Sequence, residues 1–169
     1  ILRNMYEDPV KAVVREYLAN AIDAHNQFGV KTPIVVDAPT RMAPTFRVRD
    51  YGNGLTVEEV EKLLLGYGAS GEAKRTSQDQ IGGFGIGCKC AFAIADTFTY
   101  ISWNGGTKQT WMCQLDDHDM GQAKMISQVP SKEPSGLMVE IPVSNSQLNL
   151  FEKHLKEIPM FFRSKINLS

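Results

Sequence analysis

Cysteine is scarce in this chain: Cys88, Cys90 and Cys113 are the whole set. An odd, sparse set excludes a disulfide framework and is expected of reduced thiols in a cytoplasm. Cys88-x-Cys90 lacks the second pair or the histidine spacing of a zinc site. His25, His118 and His154 are scattered and read as surface or helix-end residues. No apolar run reaches the roughly 20 residues of a membrane span, and no signal peptide opens the chain. An excess of either charge is also missing, because 18 Lys and Arg stand against 19 Asp and Glu for a net charge of −1. That removes the electrostatic case for nucleic acid or an anionic membrane. Repeats and low-complexity segments are absent too. What is present is 169 residues with 43% hydrophobic content. A chain of that size can bury roughly 70% of its unfolded surface around one core without covalent staples. Its first residue is Ile1 rather than Met, as expected of a piece of a longer protein.

Hydrophobic periodicity predicts a helix over 9–27, strands over 34–38 and 46–49, and a helix over 57–65. Thr56 and Glu59 have the spacing of a capping box for the last of these. A polar, glycine-bearing connection follows over 66–85, a length that in a compact domain is functional or disordered. A helix over 87–95, strands over 97–103, 109–115 and 137–143, a short strand over 124–129 and a final helix over 147–162 complete the pattern. Asp116, Asp117, His118 and Asp119 read as a hairpin turn. Trp103, Trp111, Phe161 and Phe162 read as core or edge packing. Late, mostly antiparallel strands with helices interspersed early predict a two-layer α/β sandwich with helices on one sheet face.

Three segments carry chemistry. On the first helix Glu16, Asn20 and Asp23 fall within about 60° of one another, opposite an apolar arc of Val10, Val14, Tyr17, Leu18, Ala21, Ile22 and Phe28. Asp50 follows the alternating run Thr45 to Arg49, which places its carboxylate at a strand end. Gly52 and Gly54 then allow a tight turn and a close backbone approach. The third segment, Ile81-Gly82-Gly83-Phe84-Gly85-Ile86-Gly87-Cys88-Lys89-Cys90, offers bare N–H groups and a helix start to phosphate oxygens, with Lys89 as a point charge. It is not a Walker loop, since Cys88 separates Gly87 from Lys89 and no Ser or Thr follows; nor does an acidic residue stand about twenty positions on, as a dinucleotide fingerprint requires.

In this order the three segments resemble the GHKL ATPase superfamily (gyrase B, Hsp90, histidine kinase, MutL). The first box matches at Glu16, Asn20, Asp23 and Ala24, the second at Asp50, Gly52 and Gly54, and the third at Gly83, Gly85 and Gly87. Within the superfamily, VVREYLANAIDAH and IGGFGIGCK look most like the N-terminal ATPase domain of phage rapid-lysis-inhibitor (rIIA-type) proteins, with MORC-like ATPases next. The resemblance implies a Bergerat fold spanning 1–169, with 66–85 as the ATP lid carrying Ser70, Lys74 and Arg75. It also implies ATP or ADP and Mg²⁺ as ligands. Asp50 would accept from the adenine amino group, a donor guanine lacks at that position. Asn20 would be the protein ligand of Mg²⁺, Glu16 the base or orienting group for water, and Ala24 small enough for adenine to approach; Asp23 would hold the Gly-rich turns or Arg47 and Arg49. The family's fourth motif expects Thr where Leu137 stands, so the secondary adenine contact falls to Ser135 or a backbone group. Two functional readings stand open: a slow ATPase acting as a nucleotide-dependent switch, and a non-hydrolysing module that binds or interferes with host proteins. A histidine-kinase domain is disfavoured by the Asn-Ala-x-Asp-Ala box. The protein partner is unknown, and an ATP-dependent dimer of the full-length protein is implied. In multi-domain relatives a second domain supplies a lysine to the γ-phosphate, so slow turnover is expected of this chain alone.

Overall fold

The computed structural model describes residues 6–65 and 86–169. The segment 66–85, expected as the lid, with Ser70, Lys74, Arg75, Gly83 and Gly85, lies outside the described residues. Helix α1 (Pro9–Phe28) begins at Asp8, whose Oδ1 accepts from the Lys11 backbone N–H at 3.1 Å, with Pro9 pre-set for the first turn. It ends at Gly29, whose φ of 64° closes the helix. Strands β1 (Ile34–Asp37) and β2 (Thr45–Arg49) follow, then α2 (Val57–Leu65). The capping box on α2 is formed as its sequence spacing predicts: Glu59 N–H donates to Thr56 Oγ1 at 3.2 Å, and Thr56 N–H donates to Glu59 Oε2 at 3.0 Å. A 3₁₀ helix (Ile86–Ala93) takes the place of the α-helix expected over 87–95.

The chain then runs through β3 (Thr97–Asn104), β4 (Thr107–Leu115), β5 (Gly121–Pro130) and β6 (Gly136–Pro142). Gly105 and Gly106, with φ of 59° and 76°, make the two-residue turn between β3 and β4. The expected Asp116 to Asp119 turn joins β4 to β5; there Asp116 Oδ1 accepts from His118 and Met120 N–H. The final helix divides into α3 (Leu148–Lys156) and α4 (Met160–Arg163), and β7 (Ile166–Leu168) follows. Pro159 is the reason: it has no N–H to donate to a continuing helix and disfavours the helical conformation at Ile158.

The seven strands form one sheet in the order β5-β4-β3-β6-β2-β1-β7, antiparallel throughout except β1 with β7. The expected α/β sandwich, mostly antiparallel, is therefore present. The core lies between α1, α3 and the sheet: Val13, Val14, Tyr17 and Ile22 face Ile34, Phe46, Ile141, Phe98 and Phe151. Phe46 and Phe151 pack at 5.0 Å between ring centroids, and Phe92 meets Phe98 edge-on at 4.7 Å. Of the apolar arc expected on α1, Phe28, the last residue of the helix, is the exception at 44% exposure. Phe161 likewise is 67% exposed rather than packed.

Two ties fix the elements that carry the site. Tyr17 Oη accepts from the Ala91 N–H at 3.1 Å, joining α1 to the 3₁₀ helix. Ser102 Oγ, fully buried on β3, accepts from the Leu55 N–H and donates to the Leu55 carbonyl, each at 2.7 Å, and so pins the chain leaving the Asp50 turn onto the sheet. Ser102→Ala strands both Leu55 groups, which costs about 1–3 kcal/mol. Urea denaturation should show a lowered midpoint at unchanged slope; an unchanged midpoint would mean the tie contributes nothing.

Candidate nucleotide-binding site

Asp50 stands directly after β2 and is 7% exposed. Its backbone N–H donates to the Leu137 carbonyl at 2.9 Å, extending the β2–β6 ladder by one step. Its Oδ1 accepts from the Gly52 N–H at 2.9 Å and the Leu137 N–H at 3.2 Å. Both donors converge on one oxygen, and among the described residues no donor reaches Oδ2. Burial pushes the Asp50 carboxyl up to about 6, against the opposing pull of these two N–H groups and of Arg49. A small cavity of about 20 Å³ lies here, lined by Tyr17, Asn20 and Ala21 of α1, Val48 and Asp50, Tyr100 of β3, and Leu137 and Val139 of β6. That is room for about one water molecule.

The helix thus meets the strand end as the sequence implies. Asn20 is half-buried, and its Nδ2 is buried without a hydrogen-bond partner among the described residues. Folding rarely takes an amide out of water unrepaid, so an orphan of this kind suits a ligand-facing group. The amide can turn by 180° and offer either its oxygen or its NH₂. Glu16, one turn earlier, is also half-buried. It lies near enough to Tyr6 and Cys90 to act on both electrostatically. Burial foremost, with the adjacent Cys90 and Glu16 charges adding, pushes the Tyr6 hydroxyl up to about 12. Burial likewise pushes the Cys90 thiol up to about 11. Neither group competes with Glu16 as a base at neutral pH. The chemistry of this donor set fits a magnesium nucleotide: an amide and a carboxylate on one helix face for metal and water, and a buried carboxylate for a base amino group.

Gly54 has φ of 69°, and a Cβ there would come within 2.5 Å of the Trp103 carbonyl. Gly52 serves a close approach to the first helix, since its Cβ would lie 3.2 Å from the Ala24 Cβ. The small size of Ala24 therefore lets α1 pack on the Asp50 turn. Asp23 is exposed, and the arginines it was expected to hold are engaged elsewhere: Arg47 Nε donates to Glu140 Oε1 at 3.0 Å, and Arg49 reaches backbone carbonyls. Gly87 lies in the 3₁₀ helix, and Lys89 is buried with its stem alongside Gly121 at the start of β5. Ser135 Oγ donates to the Gly52 carbonyl at 2.7 Å, so the residue expected to replace the missing Thr braces the turn.

Of the surface or helix-end positions expected for the histidines, His25 and His154 take helix-end ones, in the last turns of α1 and α3, and both are buried. His25 Nε2 accepts from the Tyr51 N–H at 2.8 Å, one more strap between α1 and the turn. Burial, aided by Arg49, lowers the His25 pKa and keeps the ring an acceptor. His154 lies 2.9 Å from Asp8 Oδ2, in a geometry short of a hydrogen bond, and 3.3 Å from Glu157 Oε2. Among the described residues no group of three or more His, Cys, Asp or Glu could hold a metal. The signal that would have exposed His25 was available in the sequence, because it stands four residues before the helix-ending Gly29, on the buried stripe with Ala21 and Ile22.

Opposite pH dependences follow. The Asp50 pKa rises on folding, so its penalty is absent below its ordinary 3.8 and grows as pH climbs through about 6. The His25 pKa falls, so its contribution is present above its ordinary 6.5 and lost on acidification. Asp50→Asn keeps an acceptor for both N–H groups and removes only the charge. At pH 8 it should stabilise the chain by up to about 3 kcal/mol, an advantage that vanishes towards pH 4. Thermal or urea unfolding of both proteins across that range tests this, with His25 common to both; a variant less stable at pH 8 would refute it.

Comparison with known proteins identifies the family. The chain is 27% identical over 161 aligned positions to the chaperone protein HtpG of Methylorubrum extorquens (strain PA1), covering 80% of this chain and 25% of that protein. The corresponding figures for HtpG of Mycolicibacterium vanbaalenii are 25% over 152 positions, 76% and 23%. The chain thus spans about a quarter of the length of the curated relatives it matches. Among the described residues no helix is long and apolar enough to cross a membrane. Residues 6–146 match the model of the histidine kinase-, DNA gyrase B- and HSP90-like ATPases, and the chain belongs to that family.

Proposed function

We propose that this chain binds ATP with Mg²⁺, hydrolyses it slowly, and works as a nucleotide-dependent switch in a larger, cytoplasmic protein that dimerises around bound ATP. The carrying observation is the Asp50 carboxylate, buried and held at Oδ1 by two backbone N–H groups while Oδ2 has no protein donor among the described residues. An oxygen so placed accepts from the adenine amino group and meets the guanine carbonyl unfavourably. Asn20 would hold the magnesium ion, which when bound neutralises phosphate charge. Glu16 would take a proton from the water attacking the γ-phosphorus, as the bond to the β-phosphate oxygen breaks to leave ADP and phosphate. Gly83, Gly85, Gly87 and Lys89 would serve the phosphates, and residues 66–85 would close over them as a lid. The stretches VVREYLANAIDAH and IGGFGIGCK support a phage origin and a rapid-lysis-inhibitor-like role, in which case the compartment is the bacterial host cytoplasm. A non-hydrolysing module with the same pocket is the rival.

Titration with ATP, ADP and GTP, with and without Mg²⁺, tests the base assignment. ATP and ADP should bind at least about tenfold better than GTP, and Asp50→Asn should lose that margin. Equal affinity for GTP would sink it. The same experiment divides the helix: Glu16→Ala should keep Mg·ATP binding and abolish turnover, whereas Asn20→Ala should lose the magnesium dependence of binding. Wild-type turnover should be below about 1 s⁻¹. Hydrolysis at wild-type rates in Glu16→Ala would remove that residue from the mechanism, and no turnover in wild type would favour the rival.

A further inference from the structure

We propose that Arg49 is a positioning residue for base selectivity: from the opposite face of the sheet it fixes the carboxylate that reads the nucleobase, without touching nucleotide. The inference rests on the ATP reading above.

Alternation along β2 puts Val48 and Asp50 towards α1 and Arg49 on the far side. There Arg49 is 8% exposed, a charge taken out of water that forms no salt bridge among the described residues, although Asp50 and Glu133 are near enough to act on it electrostatically. Its guanidinium is instead sandwiched, with Cζ 3.8 Å from the Trp103 ring centroid and 4.4 Å from that of Tyr51. Its Nη1 donates to the carbonyl of Asp50 and, at 3.5 Å, to that of Ser135, while Nη2 donates to the Pro134 carbonyl at 2.6 Å.

Those three carbonyls flank the two chain segments that hold the Asp50 carboxylate. Pro134 and Ser135 lead into Gly136 and Leu137, and the Leu137 N–H donates to Asp50 Oδ1. Asp50 leads into Gly52, the other donor. One planar cation therefore joins the loop before β6 to the turn after β2, and the two N–H groups keep their spacing because both segments are tied to it. Gly136, with φ of 143°, shows how closely the parts fit: a Cβ there would collide with the Asp50 carbonyl and Arg49 Nη1. The support extends outward, since Trp103 Nε1 donates to Glu133 Oε2 at 2.8 Å and Lys108 lies 3.9 Å from the same oxygen. A lysine cannot reproduce this, because a point charge lacks the planar fork that spans several carbonyls and stacks on rings.

The test compares wild type with Arg49→Met, Arg49→Lys and Trp103→Phe, the last keeping a ring under the cation while removing the Glu133 bond. Two readouts are taken: ATP and GTP titration, and amide hydrogen exchange at Gly52 and Leu137 corrected for global stability. In the Arg49 variants ATP affinity should fall about tenfold with GTP affinity nearly unchanged, and the two amides should exchange about tenfold faster. Trp103→Phe should move both readouts the same way by less, and it carries the test if Arg49→Met does not fold. A merely structural role would lower the unfolding temperature while leaving the ATP to GTP ratio and the corrected exchange as in wild type, and that result overturns the proposal. Wild type binding ATP no better than GTP would overturn the nucleotide reading and the selectivity assigned to Arg49 together. A wild-type preference retained in the variants would overturn Arg49 alone.

Discussion

Burying a carboxylate at the end of a central strand is costly, and most of this molecule is arranged around that cost at Asp50. Two backbone N–H groups repay part of it at Oδ1, yet the carboxyl still titrates near 6 rather than in its ordinary range. Stability alone would not select such a group, because a neutral amide could accept the same two hydrogen bonds without the desolvation penalty. A ligand that donates to the remaining oxygen changes the balance, since it binds the folded state only and returns free energy in proportion to its concentration. That residual cost is the observation on which the proposed ligand contact of Asp50 rests.

Holding that carboxylate against α1 requires the helix and the turn to approach closely, and small residues make the approach. Ala24 and Gly52 meet where any larger pair would separate the elements, and His25 then receives the Tyr51 N–H across the gap. The spacing between Asn20 and Asp50 is consequently set by packing on both sides of the helix turn. On the other face Arg49 performs the matching task for the loop before β6. The site is thus defined by close contacts of backbone, which tolerate less displacement than contacts between long side chains.

Much of this was legible in the sequence, and the parts that were not share a cause. The Glu16 to Asp23 face, the strand-end Asp50, the capping box at Thr56 and Glu59, and the sandwich follow from local periodicity and turn chemistry, which a single sequence carries. Arg49 did not stand out because its partners, Pro134 and Ser135, are 85 and 86 positions away and accept through carbonyls that every residue possesses. Ala24 likewise gains its neighbour from the fold, which lays Gly52 against it. The division of the last helix is different, since Pro159 marked it plainly and the amphipathic pattern on either side outweighed the signal.

Leu137 shows how the main chain can hold a carboxylate. Its backbone N–H, which any residue at this position other than proline would carry, donates to Asp50 Oδ1. A backbone donor cannot swing away as a hydroxyl rotor can, but it is only as well placed as the strand that carries it. That strand begins at Gly136, where an L side chain is sterically barred, and is led in by the two carbonyls bound to Arg49 and by the Ser135 hydroxyl on Gly52. The placement of this main-chain donor therefore depends on the loop before it, and the polar ties in that loop hold it there.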